Sequence, residues 1–300
     1  MRYSGDGMIR LGVGLLLSAL AGLAAAQPAS ADRTAVRTID DTALHNTDEA
    51  ADALLGVYDR ESALIIGELH GTVETPLLVS ALVGRLAASG PVTLGLEVTT
   101  QEQARIDAFL DSDGSESALA TLLAGEFWSP SANSDGRRSE AMVAMFESLR
   151  ERQEETGRVR VVALDNVEFF DENLDRDAGL AESIDALAPD LARGPVIVVM
   201  GNYHARATAF SGRLIANGEE IDPIVPAASL VAAMPVTSVN VSGCRGEFWA
   251  CPAPGDCGPQ PIDGQCPAPD SGVLSPLDPD LFGYHWSLLL PVLTASPPSR

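Results

Sequence analysis

Two short runs of aliphatic residues, 63–66 and 196–200, show no alternation between hydrophobic and polar positions. This pattern is typical of a parallel strand that helices cover on both faces. Four other segments are predicted as strands: residues 92–96, 159–164, 236–241 and 284–290.

Between these strands, hydrophobic residues recur at the three- and four-residue spacing of a helix that packs one face on a sheet. Three of the predicted helices have apolar faces, formed by Leu77, Leu78, Leu82 and Leu86, by Met142, Met145, Phe146 and Leu149, and by Leu180, Ile184 and Leu187. The order of the elements predicts an α/β fold with a mainly parallel central sheet flanked by helices. In such folds the ligand site lies at the carboxyl ends of the strands.

Polar side chains follow the predicted strands at those ends. The motif Gly67-Glu68-Leu69-His70 closes the first aliphatic run and Gly201-Asn202-Tyr203-His204 closes the second, and a helix is expected after each. Strand side chains alternate between faces, so the first glutamate and histidine point the same way if that strand continues. We therefore expect one rim of polar groups, formed by Glu68, His70, Glu97, Asp165 and His204.

With its paired Gly-x-x-His motifs the chain resembles the Tiki/TraB/ChaN superfamily, in which a glutamate follows an intervening strand. His70, His204 and Glu97 stand at those places. The nearer likeness, which covers residues 60–210, is to the ChaN-like haem-binding uptake branch, and it includes the pair Arg176-Asp177. Erythromycin esterases are more distant relatives by the same logic. The resemblance implies a metal-dependent protease, a metal-independent esterase or a haem-binding protein.

Three functions follow from these residues. The leading hypothesis is a metal-dependent hydrolase of peptide or ester bonds, in which His70, His204 and Glu97 bind Zn, Mn, Co or Fe. Glu68 and Glu97 can exchange the roles of ligand and general base. The first alternative is a haem- or iron-binding protein, for which Tyr203 offers a phenolate next to His204 and either residue type can serve as an axial ligand. The second alternative is a metal-free esterase with a His70/Glu97 general base.

Three further residues are candidates for binding a substrate. Arg137 or its neighbour Arg138 lies in a loop that is long enough to reach over the strand ends, and a guanidinium there can hold a carboxylate or stabilise an oxyanion. Arg206 is expected to share a helical turn with His204. Tyr203 precedes that histidine directly.

The amino terminus is predicted to be a secretory signal. Arg10 precedes the apolar residues 11–23, and small residues at 24–26 supply a cleavage site. We expect residues 1–26 to be the signal, 27–50 a lead-in arm, 51–243 the α/β core, and 244–300 a disulfide-containing loop with a final strand and tail. This organisation predicts an exported protein, either periplasmic or secreted.

The four cysteines lie in a Pro/Gly-rich stretch near the carboxyl end, at Cys244, Cys251, Cys257 and Cys266. Their spacing contains no Cys-x-x-Cys pair, which disfavours a zinc site. In an exported chain two disulfides are expected, and the sequence leaves all three pairings open.

The net charge of −23 and the absence of lysine change the set of possible partners. No basic run is present to neutralise phosphates, which excludes a nucleic-acid binder. The acidity also disfavours attraction to an anionic membrane surface, and no transmembrane segment is expected in the mature chain. The expected partner is a small-molecule or peptide substrate.

Overall fold

The computed structural model describes residues 37–40, 47–129, 135–166, 176–209, 214–216, 219–221, 225–253, 255–262 and 271–299. The predicted signal and most of the lead-in arm lie outside these residues.

The strands, in chain order, are β1 (Arg37–Asp40), β2 (Ala63–Glu68), β3 (Val92–Thr99), β4 (Val159–Asp165), β5 (Val196–Gly201), β6 (Leu214–Ala216), β7 (Glu219–Ile221), β8 (Val236–Gly243), β9 (Glu247–Ala253), β10 (Asp256–Pro261), β11 (Ser271–Pro276) and β12 (Trp286–Leu290). The helices are α1 (Thr47–Leu55), α2 (Glu74–Ser89), α3 (Gln103–Leu110), α4 (Glu116–Leu123), α5 (Glu140–Thr156), α6 (Arg176–Asp185), α7 (Ala188–Leu191), α8 (Ala227–Leu230) and α9 (Pro279–Phe282). Short 3-10 turns cover Thr100–Glu102 and Glu126–Trp128.

Within the described residues, eight strands form one sheet in the order β1-β11-β12-β8-β2-β5-β3-β4. Neighbouring strands from β12 to β4 pair in parallel, whereas β11 is antiparallel to both of its neighbours. The predicted α/β fold with a mainly parallel sheet is therefore confirmed. Strands from the carboxyl-terminal part of the chain complete this sheet.

The aliphatic strands are buried because both faces of the sheet are covered. In β2, Leu64 and Ile66 pack in the core on the side of α2 and α5, while Ile65 packs in the core on the side of α6. The side chains of β5 divide in the same way. Burial of each such side chain contributes about 1.5–3 kcal/mol. The sequence of these strands shows no alternation because each face of the sheet packs in its own hydrophobic core.

The helix predicted from its two methionines is α5. The hydroxyl of Ser139 accepts the Met142 N–H at its start, and Gly157 ends it with a left-handed φ of 62°. Met142, Met145, Phe146 and Leu149 are buried, as the spacing predicts. The start of α5 follows directly on the loop that carries Arg137.

The prediction of a helix after the second Gly-x-x-His motif is wrong. Residues 202–205 form a turn, and the described chain to residue 209 does not continue as a helix. The turn folds back onto the sheet, where the Ser238 hydroxyl donates to the Ala205 carbonyl at 2.7 Å. A Cβ at Gly67 would lie only 2.9 Å from the Ala205 Cβ, so the close approach requires glycine. Packing on the sheet thus replaces helical hydrogen bonds.

The carboxyl-terminal part contains the hairpin of β9 and β10, which the disulfide Cys251–Cys257 connects. Cys244 is disulfide-bonded as well, whereas Cys266 lies outside the described residues. Across the portions of the chain that the structure describes, no helix is long and apolar enough to cross a membrane.

Candidate functional site

The carboxyl ends of four neighbouring strands meet at one edge of the sheet. The strands β2, β5, β3 and β4 lie side by side there. They bring together the five residues of the predicted rim, Glu68, His70, Glu97, Asp165 and His204. Arg137, Arg176 and Asp177 join them through the contacts described below.

His70 is held by Glu68, two residues before it. The His70 Nδ1 lies 2.8 Å from the Glu68 Oε1. The strand β2 ends at Glu68 and does not continue to His70, so this contact is made across the turn after the strand. A carboxylate only accepts hydrogen bonds, which places the proton of the neutral ring on Nδ1 and leaves Nε2 as the basic atom. Burial disfavours the charged ring, but the hydrogen bond and charge of Glu68 and the charge of Glu97 outweigh it and raise the pKa of His70.

Glu97 lies at the centre of the site and is almost fully buried. Glu97 lies where the pairing of β3 with β4 shifts register, between Leu96 and Thr99. Irregularities of this kind change the direction of nearby side chains. The Glu97 Oε2 accepts the Gly201 N–H at 2.6 Å and lies 3.6 Å from the His70 Nε2. A Cβ at Gly201 would lie 2.9 Å from that nitrogen, so only glycine allows the three groups to meet.

Two arginines bind the other oxygen of Glu97. Its Oε1 accepts from the Arg137 Nη1 at 3.0 Å and from the Arg176 Nη2. Burial alone would raise the pKa of this carboxyl. The positive charges of His70, Arg137 and Arg176 instead lower the pKa of Glu97 to about 2. Glu97 is therefore a permanent anion at neutral pH.

Asp165, which is buried at the end of β4, is the second carboxylate between the two arginines. Arg176 binds it with two nitrogens, Nε to Oδ1 at 3.2 Å and Nη2 to Oδ2 at 2.8 Å. Arg137 donates from Nη1 to the same Oδ2 at 3.3 Å. On its other side, Arg137 donates from Nε to the Asp135 Oδ2 at 2.8 Å. Charges of opposite sign therefore alternate along the rim.

His204 uses both ring nitrogens. Its Nδ1 lies 2.7 Å from the Asp177 Oδ1, and its Nε2 lies 2.8 Å from the Arg176 Nη1. A guanidinium only donates, so Nε2 must accept and the proton of the ring must be on Nδ1. His204 is thereby fixed in one tautomer. Its Nε2 lone pair is directed at Arg176.

The candidate substrate-binding residues lie at different places in the structure. Arg137 lies in the site, whereas Arg138 donates to the Phe127 carbonyl at 3.1 Å and lies over the Phe127 ring. Tyr203 packs edge-on against the His204 ring, with the ring centroids 5.7 Å apart. Arg206 lies over the Tyr284 ring at 5.6 Å. Roles in substrate binding for Arg137, Tyr203 and Arg206 stay predictions.

Arg176 and Asp177 were not predicted as site residues, although they make central contacts in the site. The two residues begin α6. Arg176 binds Glu97 and Asp165, and Asp177 orients His204. The only signal in the sequence was the likeness of this Arg-Asp pair to a segment of the ChaN-like branch, which assigned it no role.

The donors predicted to bind a metal do not fit a divalent cation in this arrangement. The Glu97 Oε1 is shared by two guanidiniums, and the His204 Nε2 accepts from one of them. A dication at these atoms would lie against two positive charges that are already present. Across the residues that the structure describes, no group of three or more His, Cys, Asp or Glu side chains is arranged to hold a metal. A haem iron on His204 would likewise have to displace Arg176.

Comparison with known proteins supports the fold. No protein-family model matches the sequence, and no curated protein matches it either. The structure is similar to that of the erythromycin esterase EreC, solved as a point mutant in its open conformation, with a TM-score of 0.62 and 11% identity over 86% of this chain and 98% of that chain. The type III effector HopBA1 gives a TM-score of 0.47 and 14% identity over the same shares of the two chains.

At these identities the similarity concerns the fold. The distant kinship to erythromycin esterases stays a prediction. Assignment to the ChaN-like branch stays a prediction.

Proposed function

We propose that this protein is a metal-free esterase that hydrolyses small-molecule esters with His70 as general base. The observation that carries the proposal is the environment of the His70 ring. Glu68 binds its Nδ1, its Nε2 lies beside the anionic Glu97, and the ring is 19% exposed. This is a base oriented by one carboxylate and reachable from solvent.

The reaction begins at the His70 Nε2. This nitrogen takes a proton from a water molecule while the water oxygen attacks the ester carbonyl carbon. The positive imidazolium that results is stabilised by Glu68 on one side and by Glu97 on the other. When the bond to the leaving group breaks, His70 returns the proton to the departing alkoxide, so that an acid and an alcohol are released.

The negative charge that develops on the carbonyl oxygen needs a positive partner. Arg137 and Arg176 are partly exposed, at 19% and 22%, while Glu97 and Asp165, which both arginines bind, are buried. Their guanidiniums are thus fixed before the substrate arrives, as electrostatic stabilisation of a transition state requires. We assign the oxyanion to these two arginines.

Two considerations favour the metal-free mechanism over the metal-dependent hydrolase. The arginines take the place next to Glu97 and His204 that a cation would need. The similarity in fold to a protein named as an erythromycin esterase supports a hydrolase of the esterase kind.

The test is hydrolysis of a panel of p-nitrophenyl esters by protein dialysed against a strong chelator. We expect the dialysed protein to keep its rate within about twofold, because no step passes through a metal. His70→Ala is expected to lose at least about 100-fold in kcat, the usual contribution of a general base. Glu147→Gln, an exposed change on α5, is the matched control and should leave the rate unchanged.

Loss of activity on dialysis, with recovery on addition of zinc or manganese, would replace this proposal by the metal-dependent hydrolase. An ester rate that survives in His70→Ala would remove His70 as the base.

A further inference from the structure

The chain after β12 passes between two loops of the site. We call residues 293–299 the tail segment. On one side it binds the loop that follows β2: Thr294 accepts the Val73 N–H at 2.9 Å, and its own N–H donates to the buried Glu74 carboxylate at 2.8 Å. The Ser296 N–H donates to the Gly71 carbonyl at 2.8 Å. Gly71 directly follows His70.

On its other side the tail segment binds the start of α5. The first N–H groups of a helix have no partner within the helix. Pro297 accepts the Glu140 N–H at 2.8 Å, and the Ser296 hydroxyl accepts the Ala141 N–H at 3.0 Å. Ser299 donates its N–H to the Arg138 carbonyl at 2.8 Å. The tail segment, which is distant from α5 in the sequence, therefore caps this helix and holds the residues that follow Arg137.

The two loops also touch each other directly through glycines. Gly71 has a φ of 76° and Gly136 a φ of 90°, the left-handed region that favours glycine. A Cβ at Gly136 would lie 2.5 Å from the Gly71 nitrogen. The backbones next to His70 and Arg137 are thus in contact, and both of these side chains are directed at Glu97.

Ser296 binds both the residue that follows His70 and the first turn of α5. It is 2% exposed, its N–H binds Gly71, and its hydroxyl binds the Ala141 N–H of α5. We propose that Ser296 is a positioning residue that holds the Arg137 guanidinium against Glu97 beside His70. Its effect on catalysis rests on the function proposed above, whereas its effect on the position of Arg137 does not.

The variant that tests this is Ser296→Ala, which removes the hydroxyl but keeps the backbone bond to Gly71. Ser80→Ala is the matched control, because the Ser80 hydroxyl binds the Pro76 carbonyl within α2 at 2.9 Å. We expect kcat for ester hydrolysis to fall on the order of tenfold in Ser296→Ala with KM unchanged, since the oxyanion partner is displaced. Ser80→Ala should keep its kcat.

A double variant shows whether Ser296 acts through Arg137. If it does, Ser296→Ala added to Arg137→Ala should cost no more than Arg137→Ala alone, because residues that act as a unit are not additive. Losses that multiply would overturn the proposal. A general loss of stability would also multiply, so this measurement separates positioning from a merely structural role.

A measurement without substrate separates the failure of this inference from the failure of the proposed function. In arginine-labelled protein, the Nη–H signals of Arg137 should be sharp in the native chain and in Ser80→Ala, and broadened by rotation in Ser296→Ala. If Ser296→Ala does not fold, Ser296→Cys supplies a milder change, because a thiol is a weaker acceptor for the Ala141 N–H than a hydroxyl. Unchanged Arg137 signals in the folded variant would overturn the inference, even in a protein without esterase activity.

Discussion

Replacement of Glu97 by glutamine is the most direct test of the charge arrangement at the site. Glutamine keeps the shape of the side chain but removes the charge that lies between two guanidiniums. The pKa of this carboxyl falls from 4.5 to about 2 in the folded protein. A difference of this size corresponds to about 3 kcal/mol of stability at neutral pH.

The pH dependence of this effect has a definite sign. A carboxyl whose pKa is lowered by folding stabilises the protein above its unfolded pKa, and this stabilisation is lost as pH falls towards the folded pKa. Urea denaturation should therefore show a difference of about 3 kcal/mol between native protein and Glu97→Gln near pH 7. Near pH 3 the difference should fall to about 1 kcal/mol. Glu147→Gln, which is exposed, should match the native protein throughout.

A difference that stays constant between these two pH values would refute the reasoning, because packing or a lost hydrogen bond would then explain it. A difference well below 1 kcal/mol at neutral pH would mean that the desolvation of Glu97 cancels the attraction of its arginines.

Two other predictions concern the same site. Glu68→Gln should move the acid limb of the kcat/KM profile to lower pH, because Glu68 raises the pKa of the base His70; a limb that does not move would separate Glu68 from the titration of the base. Arg176→Lys should lose at least about 30-fold in kcat, because an ammonium cannot reach Asp165 with two nitrogens and His204 with a third; activity close to native in a rate assay would argue against this geometry.

The sheet and the position of the site could be predicted because they depend on local patterns. An aliphatic run without alternation requires two covered faces, and the structure gives the strand with Ile65 two such faces. Glu68 and His70 meet as expected, although β2 ends at Glu68 and the alternation of strand side chains therefore does not explain their contact. The carboxyl ends of parallel strands then meet wherever their order places them side by side, and this brought Glu97 and Asp165 to the same edge.

The prediction of a helix after the second motif is wrong because the structure of this segment depends on residues that are distant in the sequence. The turn at residues 202–205 is determined by what lies beneath it, since Ala205 packs against Gly67 and is hydrogen-bonded by Ser238. These partners come from two other strands. Tertiary contacts of this kind override the helical preference of a short segment.

Arg176 shows where prediction from a single sequence reaches its limit. Its partner Glu97 is 79 residues away along the chain, and nothing in the spacing of either residue connects them. A buried carboxylate must be paired, so the burial of Glu97 and Asp165 requires a cation nearby. The sequence could have indicated that need, but with 19 basic residues it could not indicate which arginine meets it. The same pairing supports the metal-free proposal, because two guanidiniums bind these two carboxylates where a metal ion would otherwise be needed.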